Sequence, residues 1–238
     1  DHLPELLDRV SESLGTMSRH ILAGGGVIGD FHGDAAMGFW GWPIATSDAA
    51  WRACEAALAI RREFIARGES KSTSANELRV GIGIATGRAI AGKIGTSEQV
   101  KVTVLGPVVN VAARLEKLTR TVQAPILIDG PTATSVKDHS SDQSLRLRRV
   151  ALMKPVGMSS IVDVHELLPT TTELPELTSD SLDRYAQAWA AFQKGEWRLA
   201  EQQLDAVDAT DRVRQFLAEY VKRHANNPPD NWNGVIEF

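Results

Sequence analysis

The stretch from Leu78 to Glu116 constrains the fold more than any other part of the chain, because its periodicity changes in a fixed order. Val80, Ile82 and Ile84 alternate with small residues, which is the two-residue repeat of a strand. A glycine-punctuated turn through Gly87, Gly92 and Gly95 follows, and then KVTVLG reads as a second strand. Directly after Gly106 and Pro107, the apolar residues Val109, Ala112, Ala113, Leu115 and Leu118 take up helical spacing, and a proline at the first helical position suits so sharp a start.

The rest of the chain mixes the two periods in the same way. Leu6, Leu7, Val10, Leu14, Met17 and Ile21 form one apolar stripe on a helix over 4–22, which Gly24 to Gly26 end. VIGDF and AAMGFW read as two strands joined tightly around His32, Gly33 and Asp34, a hairpin with Asp34 at its bend. Ala49, Ala50, Ala53, Ala57, Ile60 and Phe64 mark a second helix, over 47–67, with Cys54 as a packing residue inside it. GESKSTSANE reads as a polar surface loop and PILID as a buried strand. A short helix from Pro131 and strands near 145–150 and 161–167 follow. TTTELPELTSD has the composition of a linker. Beyond it, two short amphipathic segments flank Gly195, and GEWRLA matches the turn and second helix of a tetratricopeptide-like unit. One such unit cannot bury its apolar face alone, so Trp189, Phe192 and Trp197 are expected to pack on the preceding domain. Alternating helices and strands with two hairpins predict an α+β sandwich.

Composition narrows the function. With 238 residues, 43% hydrophobic and 24% charged, the chain is of globular type, and a net charge of −4 offers no broad basic surface for nucleic acid. A single cysteine excludes an intrachain disulfide and points to a reducing compartment, the cytoplasm. No apolar run approaches the ~20 residues of a membrane span, so no membrane contact is expected.

Two segments carry chemistry: GGGVIGDFHGDAAMGFWG at 24–41, and LRVGIGIATGRAIAGKIG followed by VTVLGPVVNVAARLE within 78–116. In this order they resemble the class III adenylyl and guanylyl cyclases over residues 1–168. The resemblance implies a ferredoxin-like cyclase sandwich with a mixed, mostly antiparallel sheet. Residues 169–179 are then a linker and 180–238 a small helical extension. It also implies a lyase that converts a nucleoside triphosphate, ATP or GTP, into the 3′,5′-cyclic monophosphate and pyrophosphate in signalling. Two divalent ions, Mg²⁺ or Mn²⁺, and a homodimer with the active site at its interface belong to the same implication. Asp34 matches a metal-binding aspartate of the family, and the alternative for a turn aspartate is a cap on local backbone amides. Asn110 and Arg114, four apart on a helix, match the residues that orient the ribose and stabilise the phosphates, and the alternative for Arg114 is an ion pair with Glu116 or a neighbouring acid. Phosphate contacts are expected from Phe31, Gly33 and Lys154, although an alignment on Gly157 puts Val156 in the lysine's place.

The base-reading positions map to Asp30 and Thr103. An aspartate is an acceptor and taken alone favours GTP, threonine both donates and accepts, and Asp30 as a surface aspartate that reads no base stays open. The family's first metal aspartate lies on a strand ahead of the first helix, before the start of this sequence, so the chain as given is expected to be a poor catalyst. A degenerate homologue that binds nucleotide or dimerises without turnover is the competing reading. A repeat-type scaffold has too few repeats to stack.

Overall fold

The structure is a computed structural model that describes residues 3–70, 80–98, 100–139, 145–225 and 227–238. The chain divides into two compact units, one formed by residues 1–80 and 86–110 and the other by 81–85 and 111–238.

In the first unit, α1 (Leu3–Ala23) and α2 (Ala49–Ser70) pack together beside two hairpins, β1 (Val27–His32) with β2 (Ala35–Phe39) and β4 (Ile90–Gly95) with β5 (Val100–Leu105). The stripe on α1 meets β2 where Gly38 lies, because a Cβ there would come within 2.9 Å of Ile21. Leu6 and Leu7, at the other end of the stripe, stay exposed. Cys54, Ala57, Ile60 and Phe64 of α2 are buried, so Cys54 is a packing residue as its spacing indicates. Helix α2 runs on to Ser70, into the segment expected as a loop, and 71–77 lie outside the described residues. The turn expected through Gly92 and Gly95 is instead strand β4, in register with β5 from Ile90↔Leu105 to Gly95↔Val100. Its glycines weaken strand propensity, and the partner strand supplies the hydrogen bonds that hold it extended.

The second unit is a five-stranded sheet in the order β3-β6-β8-β7-β9. Its strands are β3 (Ile82–Ile84), β6 (Ile126–Asp129), β7 (Arg146–Lys154), β8 (Val162–Leu168) and β9 (Val235–Glu237). Pairings β3–β6 and β7–β9 are parallel, while β6–β8, β7–β8 and both hairpins of the first unit are antiparallel, so the pairing is mixed and mostly antiparallel. Helix α3 (Pro107–Val122), most of which belongs here, and α4 (Gly130–His139) connect the strands, and α5 (Ser179–Gln193), α6 (Trp197–Asp205) and α7 (Arg212–Arg223) follow. Leu115, Leu118 and Val122 of α3 share one apolar cluster with Leu127, Met153 and Val164 of the sheet and with Tyr185, Trp189, Phe192, Trp197 and Leu217. The C-terminal aromatic residues therefore pack on the sheet, as their inability to bury themselves requires. Phe192 and Trp197 stack at 5.2 Å across Gly195, whose φ of +83° allows the tight turn between α5 and α6. Helix α7 and strand β9 are additions to the helical pair read from sequence. No helix among the described residues is long and apolar enough to cross a membrane.

Candidate active site

Strand β1 ends at the two-residue turn Gly33–Asp34, closed by the pair His32↔Ala35. Gly33 takes φ +61°, the left-handed conformation that a glycine adopts without steric cost, and Asp34 follows it in an exposed position. The Asp34 carboxylate makes no hydrogen bond or ion pair among the described residues, so it does not cap local amides. Phe31 is exposed, and its amide donates to Asp30 Oδ1 at 3.0 Å. Strand β5 lies beside β1 and buries Thr103 to 8% exposure. Asp30, Phe31, Gly33, Asp34 and Thr103 thus all lie on the hairpins of the first unit, with Asp30 and Phe31, as neighbours on β1, pointing to opposite faces.

Gly106 closes β5 and packs against the chain at Arg88 and Ala89, where a Cβ would stand 2.9 Å from the Arg88 carbonyl oxygen. Proline at the first position of α3 then starts the helix, which places Asn110 in its first turn and Arg114 one turn later. Asn110 is exposed and Arg114 half-buried, and neither has a hydrogen bond or ion pair among the described residues. Glu116 faces Arg120 at 4.0 Å instead, so the acid expected to compete for Arg114 is engaged elsewhere.

In the second unit the Arg114 guanidinium lies over Gly157 in the turn after β7: a Cβ on Gly157 would be 3.2 Å from Arg114 Nη2. Gly157 has φ +76°, so a glycine is required there on backbone grounds too. Lys154, the last residue of β7, pairs with Glu237 of β9 at 3.5 Å, and its carbonyl accepts from the Phe238 amide at 3.3 Å. Val156, the other candidate for that role, is an exposed apolar side chain.

A divalent ion needs several hard oxygen donors. Asp34 supplies one, and among the described residues no group of three or more His, Cys, Asp and Glu side chains gathers to hold a metal. Among the described residues Asp34 therefore offers one carboxylate to an ion.

The family described as the adenylate and guanylate cyclase catalytic domain matches residues 30–154, which include Asp30, Phe31, Gly33, Asp34, Thr103, Asn110, Arg114 and Lys154. Adenylate cyclase 1 of Rhizobium meliloti is 31% identical over 165 residues, 69% of this chain and 24% of the relative. The chain thus spans about a quarter of that relative's length. The crystal structure of the adenylyl cyclase CyaB from P. aeruginosa superposes with a TM-score of 0.60 at 26% identity, covering 70% of this chain and 84% of the other. The guanylyl cyclase Cya2 superposes with a TM-score of 0.57, also at 26% identity, over 70% and 82%. The chain belongs to the adenylate and guanylate cyclase catalytic domain family.

Proposed function

We propose that this protein converts a purine nucleoside triphosphate, ATP in the first place, into its 3′,5′-cyclic monophosphate and pyrophosphate, as an intracellular signalling enzyme that works as a homodimer. The 3′-hydroxyl oxygen attacks the α-phosphorus, the bond to the β-phosphate oxygen breaks, pyrophosphate leaves, and the hydroxyl proton passes to solvent. The observation that carries this reading is that Asp34, Asn110 and Arg114 all lack partners within the described chain. Asp34 and Asn110 are exposed and Arg114 is half-buried, so the polar atoms of all three stay open to an external ligand.

In this reading Asn110 orients the ribose and Arg114 answers the charge that develops on the phosphoryl oxygens, for which a planar guanidinium fork is suited. Phe31, Gly33 and Lys154 contact the triphosphate, and Asp30 and Thr103 face the base. Asp34 donates one carboxylate to a divalent cation. Residues 1–168 act as the catalytic domain, with 180–238 built onto its sheet through 169–179. The setting is cytoplasmic.

A cyclase assay on the full-length protein with Mn²⁺, offering ATP, GTP, CTP and UTP separately, tests the reading. A cyclic product is expected from ATP, with turnover falling about a hundredfold or more in Arg114→Ala and Asn110→Ala. That no group of three or more His, Cys, Asp and Glu side chains gathers among the described residues favours a second reading, a homologue that binds nucleotide without turnover. Nucleotide binding without product from a folded dimer would establish that one instead.

A further inference from the structure

Asp30 is not a free acceptor on β1. Its Oδ2 accepts a hydrogen bond from Lys101 Nζ at 2.5 Å, and its Oδ1 accepts from the Phe31 amide at 3.0 Å. The hydrogen bond from Lys101, more than any other influence, holds the carboxyl below the usual aspartate range. The imidazole of His32 stands 3.9 Å from the same Oδ2 and is largely exposed. Lys101 is the outer member of the pair, its side chain 52% exposed against 30% for Asp30.

The register of the second hairpin places this ammonium next to the other proposed base reader. Lys101 pairs with Ile94 and Thr103 with Gly92, so the two residues lie two apart on β5 and on the same face of the hairpin. The surface that carries Asp30 and Thr103 therefore carries a third polar group, a cation.

We propose, on the strength of the cyclase reading above, that Lys101 is a specificity-determining residue, which together with Asp30 selects adenine over guanine. A lysine ammonium has three donors and no acceptor; one goes to Asp30, and the other two have no partner among the described residues on a side chain that is 52% exposed. The Watson–Crick edge of adenine presents an acceptor at N1, which an outward ammonium meets with a charge-assisted hydrogen bond. The same edge of guanine has its acceptor at O6 and donors at N1 and N2, so an ammonium set opposite N1 meets a donor there. A lone aspartate at this position would favour guanine, and the ion pair reverses that preference because both carboxylate oxygens are engaged and the group left outermost is a donor.

The test is the ratio of kcat/KM for ATP to that for GTP in the full-length protein, with binding of non-cyclisable ATP and GTP analogues measured in parallel. Lys101→Met removes the charge and frees Asp30, and is expected to lower the ATP:GTP ratio, in turnover and in binding, by about tenfold or more. The charge-exchanged double variant Asp30→Lys/Lys101→Asp keeps the pair with its cation on β1, and is expected to retain the preference for ATP. The thermal midpoint of each variant verifies that it is folded. An unchanged ratio in Lys101→Met, with Asp30→Ala alone shifting it, would overturn the role of Lys101 while leaving the cyclase intact. If the wild type binds analogues but forms no product, the binding ratio still decides on Lys101 and only the turnover reading falls. If it neither binds nor cyclises nucleotide, both fall together.

Discussion

Arg148 of β7 and Asp211, the N-cap of α7, form an ion pair sealed from water, each side chain only 3% exposed. Glu166 of β8 completes the group by accepting from Arg148 Nε at 3.0 Å and Nη2 at 2.6 Å. Asp211 Oδ1 meanwhile accepts from the amides of Val213 and Arg214, so the residue that starts α7 also ties it to the sheet. Burial works against the guanidinium's charge, but Glu166 and Asp211 outweigh it and raise its pKa above the ordinary arginine value. Arg148→Met would leave two carboxylates buried without their cation. It should cost about 3–5 kcal/mol in urea denaturation, and a loss within about 1 kcal/mol would show that the triad does not anchor α7.

Gly83 tests how closely α3 lies on β3. A Cβ there would stand 2.2 Å from the Ala112 carbonyl oxygen and 2.3 Å from the Glu116 amide nitrogen, and backbone on both sides has no room to yield. Gly83→Ala is expected to destabilise by more than about 3 kcal/mol or to abolish soluble expression. Gly92→Ala, where a Cβ meets nothing within 4 Å, serves as the control and should be neutral within about 0.5 kcal/mol by thermal denaturation.

Gly157 links backbone conformation to the proposed phosphate-stabilising arginine. Gly157→Ala imposes a left-handed conformation on an L-residue, at a cost of about 1 kcal/mol, and pushes a methyl group toward Arg114 Nη2. Arg114 can swing away, so the fold should survive. The expected signature is a fall in kcat of about tenfold with KM little changed, because an interaction made in the transition state is the one disturbed. A raised KM with kcat unchanged would point to substrate binding in place of catalysis.

Glu63 makes the first unit sensitive to acid. Its carboxylate receives His20 Nε2 at 2.7 Å, Arg19 Nη1 at 2.9 Å and Arg67 Nη2 at 2.6 Å, which joins α1 to α2. The hydrogen bond from His20, ahead of those from arginine, holds the carboxyl down at about 2 from 4.5. A depressed carboxylate pKa contributes stability that is fully present above the unfolded value and lost as pH falls through the folded one. The wild type should therefore lose stability between pH 4.5 and about 2. Glu63→Gln should flatten that loss by about 1 kcal/mol at most, since water reaches the group. Parallel acid titrations of the two proteins, followed by circular dichroism, check this.

Local signals identified α1, α2, α3, the β1–β2 hairpin with Asp34 at its bend and the Gly106–Pro107 start of α3, because a glycine, a proline or an apolar repeat acts within a few residues of itself. The comparison with cyclases matches the family these motifs resemble. Strand β4 was not legible, since AGKIG carries turn residues and is extended only where β5 pairs with it. Strand β9 is three residues long and exists through β7 alone. The same limit applies to the site. Asp30 reads from sequence as an open acceptor, whereas the folded chain brings Lys101, 71 residues away, onto its carboxylate. The sequence by itself determined which residues sit at each bend and helix start, because those depend on local backbone preference. Only the tertiary structure decided which charges meet, because strand register and helix docking set the distances between side chains far apart in the chain.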